Sequence, residues 1–199
     1  MEIYDMEKWS IDSLISKKTI IMKKIITIAG SNSQKSINKS LLTYTTGLLE
    51  NVEIISIDLN NYLLPIYGVD FEAENSIPTA IKRLDELFDT ADGFMVSLAE
   101  HNGSYAAVFK NTLDWLSRVN MKVWREKPML LMATSPGGRG GASVLQAANG
   151  YFPYMGARIT DTFSLPSFYD NFNNGEINDH NLKEDIHSKV YKFQTSIES

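Results

Sequence analysis

Three polar stretches concentrate the residue types that can grip a ligand. The first runs Gly30, Ser31, Asn32, Ser33, Gln34, Lys35, Ser36, Ile37, Asn38 and joins a strand-like run to an amphipathic one. Gly30 permits an unusual backbone angle, and the serine hydroxyls and side-chain amides are donors. The free N–H groups of a helix start add a preference for an anion, so the stretch reads as a phosphate cradle. A polar loop in which Ser36 is a helix N-cap fits the same residues. The pattern is neither GxxxxGK[ST] nor GxGxxG, which disfavours a nucleoside triphosphatase or a standard dinucleotide fold and suits a single small phosphate.

The second stretch is Ala99, Glu100, His101, Asn102, Gly103, Ser104, whose main-chain N–H groups could face a flat heteroaromatic ligand. His101 reads either as a general acid or as a loop histidine without a catalytic role, and Glu100 either as a base or as a hydrogen-bonded carboxylate. The third is Ser135, Pro136, Gly137, Gly138, Arg139, Gly140, Gly141. Four of the chain's 12 glycines crowd into five positions there, so the backbone either approaches something closely or forms a flexible turn. Arg139 faces a phosphate or water.

Composition narrows the chemistry. The 199 residues contain no cysteine, which removes thiolate nucleophiles, disulfides and Cys-ligated zinc or iron–sulfur clusters, so redox chemistry needs a borrowed cofactor. His101, His180 and His187 are not at metal-ligand spacing. A net charge of −5 argues against a general nucleic-acid or membrane-surface partner. Apolar runs such as Met129–Ala133 fall far short of the roughly 20 residues that cross a bilayer. Residues 1–22 lack a secretory apolar core and read as an N-terminal extension or arm, which leaves a cytoplasmic protein with one domain over 23–199.

The elements that must position the three stretches alternate. Short apolar runs at Lys24–Ala29, Val52–Ile57, Gly93–Leu98, Met129–Thr134 and Ala157–Phe163 read as buried strands. Between them lie helical stripes: Ile37, Leu41, Tyr44, Leu48; then Ile77 to Phe88 with Ser76 as N-cap; then Tyr105 to Leu116; then Ala142 to about Phe152, with His180–Ile197 last. The class is α/β, a parallel sheet covered by helices on both faces. Asn60–Asn75 and Pro166–Asp179 are left as long irregular segments. Asp114 and Arg118 are spaced for an i,i+4 ion pair, and Trp115 and Trp124 read as packing or interface residues.

Taken in order, these motifs resemble the NADPH-dependent FMN reductase family, over about Lys23 to Phe193. Ser31, Ser33, Ser36 and Asn38 match its GSxRxxSxN loop, with Ser33 at the usual arginine and Lys35 as the alternative cation. Pro65, Tyr67 and Asp70 resemble its PLYxxD segment, Ala99–Ser104 its PEYNGS, Lys110–Arg118 its KNAIDWLSR and Ser135–Gly141 its SPGGRGG, while Phe172–Leu182 resembles its tail. Ala99 and His101 replace a proline and a tyrosine of that pattern.

The resemblance implies a flavodoxin-like three-layer sandwich with strand order 2-1-3-4-5. It also implies an enzyme binding FMN, with NADPH or NADH as cosubstrate, a small-molecule electron acceptor, alternating ping-pong kinetics and a homodimer or homotetramer. Ser31, Ser33, Ser36, Ile37 and Asn38 would hold the phosphate. Glu100, His101, Asn102 and Gly103 would support the ring, with Ser135, Gly137, Gly138 and Gly140 lining its edge and no residue acting as general acid. A flavodoxin-like electron carrier is the alternative; a receiver-like regulatory domain lacks the acids it needs after the first strand.

Overall fold

A computed structural model describes residues 22–198; the extension expected at 1–22 lies, except for Met22, outside the described residues. The strands are β1 Lys23–Gly30, β2 Val52–Ile57, β3 Gly93–Leu98, β4 Glu100–His101, β5 Ser104–Tyr105, β6 Lys127–Thr134, β7 Ala157–Leu165, β8 Phe172–Asn173 and β9 Glu176–Ile177. The helices are α1 Ile37–Thr46, α2 Val69–Asn75, α3 Thr79–Asp89, α4 Ala107–Val119, α5 Ala142–Tyr151, α6 Phe168–Asn171 and α7 His180–Glu198.

Five strands form one parallel sheet in the order β2-β1-β3-β6-β7, the flavodoxin-like order expected from the sequence. The period-two pleat sends alternate residues to opposite faces. Ile26, Ile28, Met129 and Leu131 join α3, α4 and α5 in one core, whereas Ile25, Ala29, Leu130 and Met132 join α1 and α7 in another. Because both faces are covered, β3 is buried at every residue, which explains a run that is apolar except at Ser97. Trp115 and Trp124 are fully buried in the first core, so they pack rather than present an interface.

Several expectations need correction. The segment Asn60–Asn75 is not wholly irregular, since it carries α2. That helix buries no residue and so shows no apolar stripe to read. Ser76 does not begin α3; it closes α2 at φ 63°, and α3 starts after Pro78, because the residue before a proline is disfavoured in helical geometry. Asp114 pairs with Lys110 at 2.6 Å, while Arg118 reaches across to Glu72 at 2.9 Å. The segment Pro166–Asp179 holds α6 and the β8–β9 hairpin. Gly30 sits inside β1, and what it provides is room: a Cβ there would lie 3.0 Å from Leu98 and 3.3 Å from Phe109.

Candidate functional site

The carboxyl ends of β1, β3 and β6 open on one side of the sheet, where the loops of a doubly wound fold receive ligands. A hollow of about 190 Å³ there is lined by Ser31, Ser33, Lys35, Ser36, Ile37 and Asn38, by Ala99, Glu100 and His101, and by Thr134, Ser135, Pro136 and Tyr169. All three sequence stretches therefore meet in one place.

The β1–α1 turn is shaped by its own hydroxyls. Ser31 Oγ accepts from the Ser33 N–H at 3.1 Å, Ser33 Oγ from the Lys35 N–H at 3.2 Å, and Ser36 Oγ caps α1 by accepting from the Lys39 N–H at 3.2 Å. Each hydroxyl that accepts in this way keeps its own proton to donate. Helix geometry leaves the N–H groups of Ile37 and Asn38 without intrahelical partners, so the first turn adds main-chain donors to the hydroxyls. Charge follows the same direction. Lys39 is paired with Asp58 at 3.2 Å, whereas Lys35 has no carboxylate within ion-pair distance among the described residues. Asp58 is held below the usual carboxylate range by the main-chain and side-chain N–H groups of Asn60, assisted by Lys39.

Asn38 fixes this turn to the sheet. Its Nδ2 donates to the Thr134 carbonyl at 3.2 Å, and its Oδ1 accepts from the Thr134 N–H at 3.1 Å and the Ser97 hydroxyl at 2.8 Å. One buried amide thus sets the spacing of β1–α1, β3 and β6.

The second stretch is a hairpin. Asn102 and Gly103 both have positive φ, 51° and 76°, which is the turn that an Asn-Gly pair favours between two short strands. That dipeptide was the available sequence signal for the hairpin. Glu100 anchors its base: Oε2 accepts the N–H of Ser143 at 2.9 Å and of Val144 at 3.0 Å, capping α5. The hydrogen-bonded reading of Glu100 is the one realised. His101 is exposed at the mouth, and Tyr105 stacks on Phe152 behind it, its hydroxyl pushed up to about 12 by burial and, to a lesser degree, by Tyr151.

The glycines of the third stretch divide by function. Gly140 and Gly141 adopt positive φ, and a Cβ would strike Ser164 Oγ at the first and lie 2.9 Å from Ala133 at the second. Those two let the chain turn tightly into α5. At Gly137 a Cβ would meet nothing within 4 Å, and at Gly138 only Ser167 Oγ at 3.9 Å, so these two leave the rim open. Arg139 donates to Ser143 Oγ at 3.0 Å.

Of the residues expected from sequence, Ser31, Ser33, Ser36, Ile37, Asn38, Glu100, His101 and Ser135 share the hollow's wall. Asn102, Gly103, Gly137, Gly138 and Gly140 are not in its wall: the first two form the hairpin tip, Gly137 and Gly138 follow the lining residue Pro136 with open space at their Cα, and Gly140 packs against Ser164. Thr134 and Tyr169 were missed. Thr134 reads as the last residue of a strand, and Tyr169 belongs to a four-residue helix with no sequence periodicity.

A family model described as NADPH-dependent FMN reductase matches residues 23–170. The chain is 30% identical over 134 residues to a 2-hydroxy-1,4-benzoquinone reductase from Burkholderia sp., covering 66% of this chain and 71% of that protein. It is 32% identical over 115 residues to an NAD(P)H-dependent FMN reductase of Pseudomonas aeruginosa, covering 57% and 60%. A quinone reductase of Escherichia coli K12 is 35% identical over 79 residues, so that match spans 40% of this chain and 42% of the relative. Among solved structures, the flavoenzyme NAD(P)H:(acceptor) oxidoreductase FerB from Paracoccus denitrificans superposes with a TM-score of 0.72 at 23% identity, covering 89% of this chain and 98% of that one, which is a likeness of fold.

Proposed function

The chain belongs to the NADPH-dependent FMN reductase family, and on that premise we propose that it is an FMN-dependent NAD(P)H oxidoreductase passing electrons to a small acceptor such as a quinone, a free flavin or an azo compound. The observation that carries this reading is the single hollow shared by the three stretches at the carboxyl ends of β1, β3 and β6.

The residues present suit the cofactor. The β1–α1 turn offers hydroxyl and main-chain donors with one lysine, Lys35, that is unpaired among the described residues, the chemistry of a phosphate monoester site. The carboxylate on the wall, Glu100, is turned into the N-terminus of α5, away from an incoming anion. The ring would lie against the hairpin and the rim glycines, where the absent side chains of Gly137 and Gly138 permit close approach. When bound, FMN supplies hydride acceptance from the nicotinamide and its return to the acceptor. The chain binds and orients: Ser31, Ser33, Ser36, Ile37, Asn38 and Lys35 take the phosphate, Glu100 to Gly103 the ring face, and Ser135, Gly137 and Gly138 its edge, with Gly140 setting their path.

Residues 23–199 form the flavin-binding domain in this reading, and the enzyme works in the cytoplasm. No described helix is long and apolar enough to cross a membrane. A homodimer is supported by the segment before α3, where Leu63 and Ile66 are 95% and 86% exposed on a backbone pinned by Asn111 and Trp115.

The test is a visible spectrum of the purified protein with added FMN, followed by NADPH or NADH oxidation with a panel of quinones, azo dyes and free flavins. Flavin bound at micromolar concentration and acceptor-dependent turnover are expected. An FMN-loaded protein that leaves NAD(P)H untouched would instead be a carrier, and absence of flavin binding would remove the proposal altogether.

A further inference from the structure

The β4–β5 hairpin is a two-stranded ribbon whose faces do different work. Glu100 pairs with Tyr105, and His101 with Ser104. Side chains alternate along a strand, so the first pair points to one face of the ribbon and the second to the other. Glu100 and Tyr105 face α5 and its end: Glu100 accepts the N–H groups of Ser143 and Val144, and Tyr105 stacks on Phe152 at 6.1 Å. His101 is therefore held on the opposite face, where it is exposed and lines the hollow with Ser31, Lys35 and Tyr169.

No hydrogen bond or ion pair engages the His101 ring among the described residues, whereas on α7 His180 Nε2 lies 3.3 Å from Glu184 and His187 Nε2 lies 3.2 Å from the Tyr44 hydroxyl. Around His101, Lys35 comes from the β1–α1 turn and Tyr169 from α6, while Glu100 on the same strand is committed to α5 and Arg139 donates to Ser143. Of these residue types, histidine alone both holds and releases a proton between about pH 5 and 8.

We propose that His101 is the proton donor to a quinone reduced at this site, and so a catalytic residue in the oxidative half of the turnover. The inference rests on the flavin reading above and names its acceptor class. Hydride from the reduced flavin brings two electrons and a proton to one quinone oxygen, which forms an O–H bond as the flavin is oxidised. The displaced electron pair comes to rest on the other oxygen as a phenolate. An N–H bond of the His101 imidazolium breaks as the O–H bond to that oxygen forms, hydroquinone leaves, and the neutral ring regains a proton from water. An exposed ring at the mouth meets both demands, because it borders the hollow on one side and solvent on the other.

For the test, FMN-loaded protein is reduced with dithionite in the absence of oxygen and mixed with benzoquinone or with ferricyanide, which takes electrons without a proton. Dividing the first rate by the second cancels general damage to the site. His101→Gln is expected to lower this ratio about a hundredfold, and added imidazole to restore part of it in His101→Ala. In the parent the ratio should fall as pH rises from about 5 to 8, and in His101→Gln it should stay flat. A readout without turnover is calorimetric binding of picrate, a phenolate that stays ionised throughout that range. Its affinity for the oxidised, FMN-loaded parent should fall as pH rises, and at about pH 5 it should be about tenfold lower in His101→Gln. A ratio unchanged in His101→Gln would overturn the inference and leave the flavin reading standing. So would a lowered ratio that keeps the parental pH dependence, the mark of a residue that only positions the quinone. Failure to bind FMN would overturn both.

Discussion

The side chain of Asn38 hydrogen-bonds both main-chain polar groups of Thr134, 96 positions away, and so joins the first turn of α1 to the end of β6. All of these atoms are buried, so Asn38→Ala strands the N–H and carbonyl of Thr134 and the hydroxyl of Ser97 with no access to water. A loss of about 3 to 6 kcal/mol is expected in urea unfolding, at about 1 to 2 per stranded group. FMN affinity should fall with it, since the phosphate turn loses its tie to the sheet. Asn38→Asp should do no better, because it replaces the amide donor with a carboxylate.

Glu100 closes α5 by accepting two main-chain N–H groups and also carries the hairpin beside the site. Glu100→Ala should cost about 1 to 2 kcal/mol, the usual value of a lost N-cap, visible as a lower unfolding midpoint. Flavin affinity should drop as the hairpin loosens; an unchanged midpoint would mean that the cap contributes nothing.

Ser33 occupies the place where the resembling family carries arginine, and Lys35 is the neighbouring cation, unpaired among the described residues. Ser33→Arg should tighten FMN about tenfold through a charge-assisted bond, leaving riboflavin, which lacks the phosphate, unchanged. Lys35→Ala should weaken FMN by a similar factor and flatten the dependence of its binding on salt. Parallel titrations with both flavins check the pair.

The Tyr105 hydroxyl titrates near 12 in the folded protein against 10 for an unperturbed tyrosine, chiefly because burial penalises its anion. The folded state holds this proton more tightly. Its contribution to stability is therefore complete below pH 10 and is lost as pH rises through 12. An ultraviolet absorbance titration should show a tyrosine ionising near 12 that Tyr105→Phe removes, beside Tyr44 and Tyr62, whose hydroxyls burial also pushes up. A Tyr105 ionising with the exposed tyrosines would contradict the burial.

If two copies associate through the exposed apolar segment, Ile66→Lys should separate them. Ile66 is 86% exposed, so the single chain should fold as before. Light scattering across a concentration series should show the parent at twice the mass of the variant; a monomeric parent would remove the dimer.

The alternation of apolar runs with helical stripes was enough to read the five-strand α/β sheet, because β1, β3 and β6 bury both faces and α3 and α4 bury one. The three polar stretches were also legible, since each follows a buried strand of an α/β sheet, where ligands are received. Local pattern failed where no burial stood behind it: α2 and α6 are short and carry little or no core, so nothing in their spacing marks them. It could not divide Gly137 and Gly138 from Gly140 and Gly141, because the distinction lies in what surrounds each Cα: open space at one pair, Ser164 and Ala133 at the other. Nor could it show that Glu100 is spent on the α5 N–H groups, that Asn38 grips Thr134, or that Tyr169 lines the same hollow as the β1–α1 turn. Sequence pattern reports which face of an element is apolar; contacts between side chains tens of residues apart depend on how the faces are stacked, and only the packed sheet determines that.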